Sequence, residues 1–112
     1  PSSAASDVYK RQTLCAFTAL ACSQDLLRHA PEASQLVVCG GGALNGELMR
    51  QIAANLPGVP VLNTEALGLP PLQVEAAAFA WLAFKTIRRE TSSLPSVTGA
   101  QGARILGGIY PR

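Results

Sequence analysis

Hydrophobic residues recur at helical spacing in the first part of the chain. From Thr13 to Ala30 the apolar positions return every three or four residues, which predicts a helix with one buried face. We expect that face to consist of the apolar side chains of Phe17, Leu20, Ala21 and Leu27. Pro31 ends the helix, because proline disfavours helical geometry in the residue before it.

The pattern then changes to short apolar runs with a helix between them. Residues 35–39 show little polar alternation, which predicts a strand covered on both faces. A second helix is predicted up to Pro57-Gly58, with Asn45 as its N-cap. Its apolar positions recur at intervals of four: Leu48, Ile52 and Leu56. Residues 59–62 predict a second strand, parallel to the first because a helix connects the two.

The second half of the chain is predicted to contain one long buried helix. Residues 63–69 read as a loop carrying Thr64 and Glu65, and Pro71 suits the first position of a helix. Residues 72–87 are apolar nearly all round, which predicts burial on most sides. Glu75 is the exception. An unpaired buried carboxylate is costly, so it must face a partner, a cavity or solvent, and the helix N-terminus alone would also favour it.

Two short segments suggest ligand contacts. Gly40, Gly41 and Gly42 follow the first strand, and glycines permit backbone angles and close approaches that side chains forbid. The N-terminus of a helix also favours an anion, so a nucleotide or sugar could bind here. A tight turn packing strand against helix explains the triplet equally well, since it matches no phosphate-binding fingerprint. Ser96 and Thr98 similarly suit either an ordered ligand loop or a plain turn.

Composition narrows the class of protein. With 112 residues, 48% hydrophobic residues and a net charge of +2, the chain forms at most one domain and can bury a core. Its dispersed basic residues predict no nucleic-acid partner. Three cysteines without a CxxC pair predict neither a metal framework nor disulfides. We expect Cys15 and Cys39 to be small core residues, in a reducing, cytoplasmic compartment.

The N-terminal end shows two further features. Lys10-Arg11 and the apolar residues after them imitate a signal peptide, but the run continues as an amphipathic pattern, so we expect a soluble helix. No stretch approaches the ~20 apolar residues of a membrane span, and no membrane partner is predicted. Residues 1–12 lack periodicity and resemble translated adapter sequence. We therefore expect a non-native or disordered leader before a domain at residues 13–112.

Four segments together resemble the C-terminal part of the anhydro-N-acetylmuramic acid kinases. They are Val38–Met49, Glu75–Ala83, Leu94–Ala100 and Leu106–Pro111, in that order. The resemblance implies an α/β fold, part of a ribonuclease H-like domain of the sugar kinase, Hsp70 and actin superfamily. It implies ATP and Mg²⁺ as cofactors and 1,6-anhydro-N-acetylmuramic acid as substrate. Water would open the anhydro ring, giving N-acetylmuramic acid 6-phosphate, in peptidoglycan recycling in the bacterial cytoplasm.

The resemblance also implies roles for single residues. It places Gly40–Gly42 beside the nucleotide, Glu75 at the sugar, and Asn45, Ser96 and Thr98 among candidate ligand contacts without a firm role. The phosphate-binding loop and the aspartate that acts as general base are missing, so we expect this chain to be inactive alone and to hold no catalytic residue or metal ligand. A stand-alone binding module for an anion or nucleotide, and a purely structural piece, remain alternatives. The oligomeric state is open, with a homodimer as one candidate.

Overall fold

A computed structural model describes residues 3–111, which divide into two compact units between Leu72 and Gln73. The helices are α1 (Ser3–His29), α2 (Gly46–Asn55), α3 (Val74–Ile87) and the short α4 (Pro95–Thr98), and the strands are β1 (Leu36–Val38) and β2 (Val61–Asn63). Single turns of 3₁₀ helix lie at Gly41–Leu44, Thr64–Leu67 and Pro71–Gln73. The predicted α/β class is confirmed at this level.

Helix α1 begins earlier than predicted. It runs for 27 residues from Ser3, so the expected start at Thr13 is wrong and residues 3–12 are helical rather than disordered. The sequence contains no proline or glycine between Pro1 and Pro31, so nothing in it interrupts the helix. Residues 1 and 2 of the expected leader lie outside the described residues. The foreign origin of residues 1–12 stays a prediction.

The predicted buried face of α1 is also wrong. Phe17, Leu20 and Leu27 are 69%, 48% and 51% exposed, and only Ala21 of that set is half-buried. The face that packs consists mainly of smaller residues, buried or half-buried: Cys15, Ala19, Ser23 and Leu26. Small side chains let the backbone of α1 approach α2 closely. Periodicity alone could not separate the two stripes, because both recur at helical spacing.

The core of the first unit lies where α1 meets α2. Ala19, Ile52 and Leu56 are its buried hydrophobic residues. Partly buried hydrophobic residues surround them: Leu26, Leu36, Leu48, Val59 and Val61. The predicted apolar stripe of α2 therefore packs as expected. Its burial supplies the hydrophobic stabilisation that holds α1, α2 and the two strands together.

The two strands pair in parallel, as predicted. Val37 lies opposite Leu62 and Val38 opposite Asn63. Both strands are shorter than expected, and all their residues are half-buried rather than covered on both faces. Cys39 lies just beyond β1 and is exposed, and Cys15 is half-buried, so the predicted core role is wrong for Cys39. The sheet has two strands within residues 3–111, which limits how much of β1 can be covered.

Helix α3 dominates the second unit but is not buried there. Within the described residues none of its side chains is buried, and Phe79, Trp81 and Phe84 are at least half exposed. The expected burial on most sides is therefore not observed. The apolar pattern describes the surface of the helix, whereas burial depends on the segments that pack against it. In this unit the Thr86 hydroxyl lies at hydrogen-bond distance from the carbonyl of Leu106.

None of the helices in the described part of the chain has the length and hydropathy needed to cross a membrane.

Replacing Ala19 by Leu tests which face of α1 packs on α2. The added side chain overfills the contact with Ile52 and Leu56, and we expect a loss of about 1–3 kcal/mol in the free energy of unfolding. Ala4→Leu places the same side chain at an exposed position near the start of the same helix and should change the stability by less than about 0.5 kcal/mol. Urea unfolding of both variants measures the difference. Equal effects would contradict the observed packing.

Candidate functional site

The carboxyl ends of β1 and β2 meet at one edge of the sheet. Because the strands are parallel and Val38 lies opposite Asn63, the glycines that follow β1 and the turn that follows β2 begin side by side. Neighbouring strands are separated by about 4.8 Å. In α/β sheets, ligands bind outside the carboxyl ends of the strands. This edge is therefore the place in the first unit where a ligand site is expected.

The glycine turn has an open surface. Gly40 has φ +74°, a left-handed conformation that side chains rarely adopt, and its N–H donates to the carbonyl of Pro71 at 2.9 Å. A Cβ atom at Gly40 or Gly41 would meet nothing within 4 Å, and one at Gly42 would make ordinary contact with Leu48. Internal packing thus does not require glycine at position 41 or 42. The open backbone there leaves room for an external group.

Asn45 caps helix α2, as predicted. Its Oδ1 accepts a hydrogen bond from the N–H of Leu48 at 3.2 Å, and its backbone is extended, as an N-cap requires. One of the free amides that would otherwise bind an anion is therefore satisfied within the chain.

A negative side chain already lies in the first turn of α2. Glu47 accepts hydrogen bonds from Arg50 Nε at 2.8 Å and from Gln51 Nε2 at 2.7 Å. The hydrogen bonds from Arg50, and after them the one from Gln51, lower the pKa of Glu47 to about 2, so the carboxylate is ionised at neutral pH. The Arg50 guanidinium lies 2.6 Å from Glu47 Oε1, so the two opposite charges form an ion pair at this helix end. The cap at Asn45 leaves one amide fewer for an anion, and the close-approach argument for the glycine turn is unaffected.

The turn after β2 forms the other side of the edge. Asn63 Oδ1 accepts from the N–H of Glu65 at 3.0 Å, and the carbonyl of Thr64 accepts from the N–H of Leu69 at 3.2 Å. The hydroxyl of Thr64 is buried and has no hydrogen-bond partner within residues 3–111. Sequence reasoning gave this residue no role. Its only signal was a hydroxyl directly after a strand, which is too common to be informative.

The remaining predicted site residues lie in the second unit. Glu75 is exposed in the first turn of α3, and no described residue forms a salt bridge or side-chain hydrogen bond with it. Of the explanations offered for this carboxylate, exposure to solvent is the one observed within its unit. Ser96 and Thr98 lie on α4 rather than in a loop, and the Thr98 hydroxyl donates to the carbonyl of Leu94 at 3.1 Å. The structure therefore brings together Gly40–Gly42 and Asn45 in one unit, and Ser96 and Thr98 in the other.

Metal ligands do not cluster in the described part of the chain. No group of three or more His, Cys, Asp or Glu side chains there could hold a metal ion.

Comparison with known proteins settles the family. The family model described as "Anhydro-N-acetylmuramic acid kinase" matches residues 2–112. The chain belongs to the anhydro-N-acetylmuramic acid kinase family. The resemblance drawn from the four sequence segments is thereby confirmed.

Curated relatives carry the family's name. The anhydro-N-acetylmuramic acid kinase of Variovorax paradoxus (strain S110) is 55% identical over 111 residues, which are 99% of this chain and 30% of that protein. The kinase of Albidiferax ferrireducens is 59% identical over 99 residues, 88% of this chain and 25% of the relative. The kinase of Chromobacterium violaceum is 54% identical over 100 residues, which are 89% of this chain and 27% of that relative. The chain thus spans about a quarter to a third of the length of these kinases.

Replacing Asn45 by Ala separates its capping role from ligand contact. Loss of the bond to Leu48 should lower the free energy of unfolding by about 1 kcal/mol, whereas Asn45→Asp keeps an acceptor and should restore most of it. Thermal unfolding without any ligand measures both variants. An Asn45→Ala variant as stable as the wild type would show that the cap contributes nothing.

Proposed function

We propose that this chain supplies the glycine turn and the Glu75 helix of a kinase that converts 1,6-anhydro-N-acetylmuramic acid to N-acetylmuramic acid 6-phosphate with ATP, while water opens the anhydro ring. The observation that carries the proposal is an open glycine turn at the carboxyl edge of a parallel strand pair, in a member of this kinase family. The strand–helix–strand unit is also consistent with the ribonuclease H-like fold of the sugar kinase, Hsp70 and actin superfamily.

In this proposal the backbone at Gly40 and Gly41 lies against the nucleotide. A Cβ there would meet no protein atom, so a ligand can approach the main chain closely. The Asn45 side chain occupies the amide of Leu48, which leaves one amide fewer for a phosphate at the start of α2. The nucleoside part of ATP is therefore the part proposed to lie against the glycine turn.

Glu75 is proposed to bind the sugar. An exposed carboxylate with no ion-pair partner in the described part of the chain can accept hydrogen bonds from sugar hydroxyls. ATP supplies the transferred phosphoryl group. This chain offers no metal-binding cluster within residues 3–111, so none of its residues is assigned to Mg²⁺. Ser96 stays a candidate contact because it is exposed, and Thr98 is a weaker candidate because its hydroxyl is already bonded.

The chemical step is proposed to need residues that this chain does not contain. The family resemblance assigns the phosphate-binding loop and the general base to sequence outside these 112 residues. Phosphoryl transfer depends on positioned phosphates and a positioned nucleophile. We therefore expect the chain alone to bind nucleotide without turnover. We also propose that the longer kinase acts in peptidoglycan recycling in the bacterial cytoplasm.

A kinase assay with Glu75→Gln tests the sugar contact. In a protein that joins this chain to the remaining length of the family's sequence, we expect turnover of 1,6-anhydro-N-acetylmuramic acid to fall by at least about tenfold, since a charged acceptor is lost. Glu32→Gln, at an exposed glutamate in the loop before β1, is the matched control. The 112-residue chain alone should show no turnover. A joined wild-type protein that folds but does not phosphorylate the sugar would refute the proposed activity.

Alkylation of Cys39 tests nucleotide binding at the glycine turn. This exposed thiol directly precedes Gly40, and Cys22 is an equally free exposed thiol on α1. At an ATP concentration of ten times Kd, the alkylation of Cys39 should slow about tenfold if the complex is unreactive. The alkylation of Cys22, measured by mass spectrometry in the same sample, should not change. Protection of both thiols, or of neither, would argue against a nucleotide at this turn.

A further inference from the structure

Strand β1 has one paired edge and one free edge in the described part of the chain. Its sheet has two strands within residues 3–111, so β2 alone pairs with β1 there. The N–H of Leu36 donates to the carbonyl of Pro60 at 2.8 Å, which directs the backbone groups of Leu36 toward β2. Successive residues of a strand direct these groups to opposite edges, so the N–H and C=O of Val37 face away from β2. A free edge of this kind can pair with another strand.

Helices α1 and α2 run side by side in the same direction. Leu14 of α1 lines a cavity with Leu48, near the start of α2, and Leu20 lines another with Ala54, near its end. The hydrophobic core that the two helices share also contacts both strands. Both helices therefore lie on the same face of the sheet.

The handedness of the connections determines which side of β1 lies beneath α1. A crossover between parallel strands is right-handed in about 98% of cases, and α2 makes the crossover from β1 to β2. Helix α1 is parallel to α2, lies on the same face and leads into β1. The same handedness therefore puts α1 over the side of β1 that is turned away from β2. A parallel strand at the free edge of β1 would lie beneath α1.

The surface of α1 that is turned away from α2 is apolar. Leu14 and Phe17 are 65% and 69% exposed, and helical spacing places them on the opposite side of α1 from the buried Ala19. Strand β1 is also apolar, with the sequence Leu-Val-Val, and it contains neither the charged residues nor the proline that commonly protect a free edge. Exposed apolar surfaces of this kind mark interaction sites.

We propose that the free edge of β1 pairs with a parallel strand from the remaining length of the longer kinase, and that α1 covers this strand. The chain spans 30% and 25% of the length of two curated relatives, so such kinases have further sequence that can supply the strand. Because α1 lies over it, we expect the strand to be apolar. The inference depends on membership of the family and not on the proposed reaction.

Backbone amide exchange, followed by NMR, tests which edge of the sheet is paired. Val37 and Val61 are matched residues, because the strand register directs the N–H of each away from the other strand. In the joined protein the amide of Val37 should exchange at least about tenfold more slowly than in the 112-residue chain, since it gains a partner within the sheet. The amide of Val61 should exchange equally fast in both proteins. The amide of Val38, which faces β2 in both, reports any general change in the stability of the unit.

The exchange rates of the two valines decide the proposal. Slower exchange at Val37 alone would support a strand at the free edge of β1. Slower exchange at Val61 alone, at both residues or at neither would overturn the choice of this edge.

Proline substitutions at the same two positions give a matched pair of variants. Val37→Pro and Val61→Pro each remove an N–H that takes no part in the hydrogen bonds between β1 and β2, so the two 112-residue variants should melt alike. In the joined protein Val37→Pro should lower the melting temperature further than Val61→Pro, because proline cannot donate to the added strand. Equal melting temperatures there would contradict the pairing. Amide exchange of the wild type needs no variant, so it decides the question if a proline variant does not fold.

These measurements are separate from the test of the proposed function. A joined protein that phosphorylates the sugar while the amide of Val37 exchanges as in the 112-residue chain would overturn the strand pairing and leave the kinase proposal standing. A joined protein with a protected Val37 amide and no turnover would support the pairing and refute the proposed activity.

Discussion

The close contact between α1 and α2 is the constraint on which the first unit depends. Ala19 is fully buried against a face that includes Ile52 and Leu56, and these three residues form the hydrophobic core. Since α2 is also the connection between β1 and β2, fixing α2 fixes the parallel pairing of the strands. The carboxyl ends of both strands then lie at one edge, where the glycine turn and the turn at Thr64 become neighbours.

Short sequence patterns predicted the features of this arrangement that depend on residues close together in the chain. The spacing of Leu48, Ile52 and Leu56 specified the packed face of α2, and an asparagine before a helical pattern specified its cap. The parallel pairing followed from the helical connection between the strands. These features need only a few neighbouring residues, so a single sequence contains the information.

The errors concern tertiary choices that periodicity does not encode. Helix α1 carries two stripes, and the stripe of small residues around Ala19 packs while Phe17 and Leu27 stay exposed. Helix α3 is apolar, but its apolar surface does not tell which segments cover it. The Thr64 hydroxyl could not have been singled out either, because lacking a partner is a property of the folded neighbourhood and not of the residue.

The site illustrates how a helix cap changes the interpretation of a motif. A glycine triplet before a helix suggests phosphate, but the Asn45 side chain already accepts the amide of Leu48, and Glu47 is paired with Arg50. What remains is steric access to the backbone at Gly40 and Gly41. That access fits an uncharged ligand surface, and it joins the local geometry to the nucleotide requirement of the kinase family.

The most direct measurement is the change in backbone amide NMR shifts when ATP is added to the 112-residue chain. If the glycine turn holds the nucleotide, the amides of Gly40, Gly41 and Gly42 should shift in a saturable way, while the amides on the far part of α1, around His29, should not. Shifts that spare the three glycines, or that appear only around Arg88 and Arg89, would contradict a nucleotide site at the carboxyl edge of this sheet.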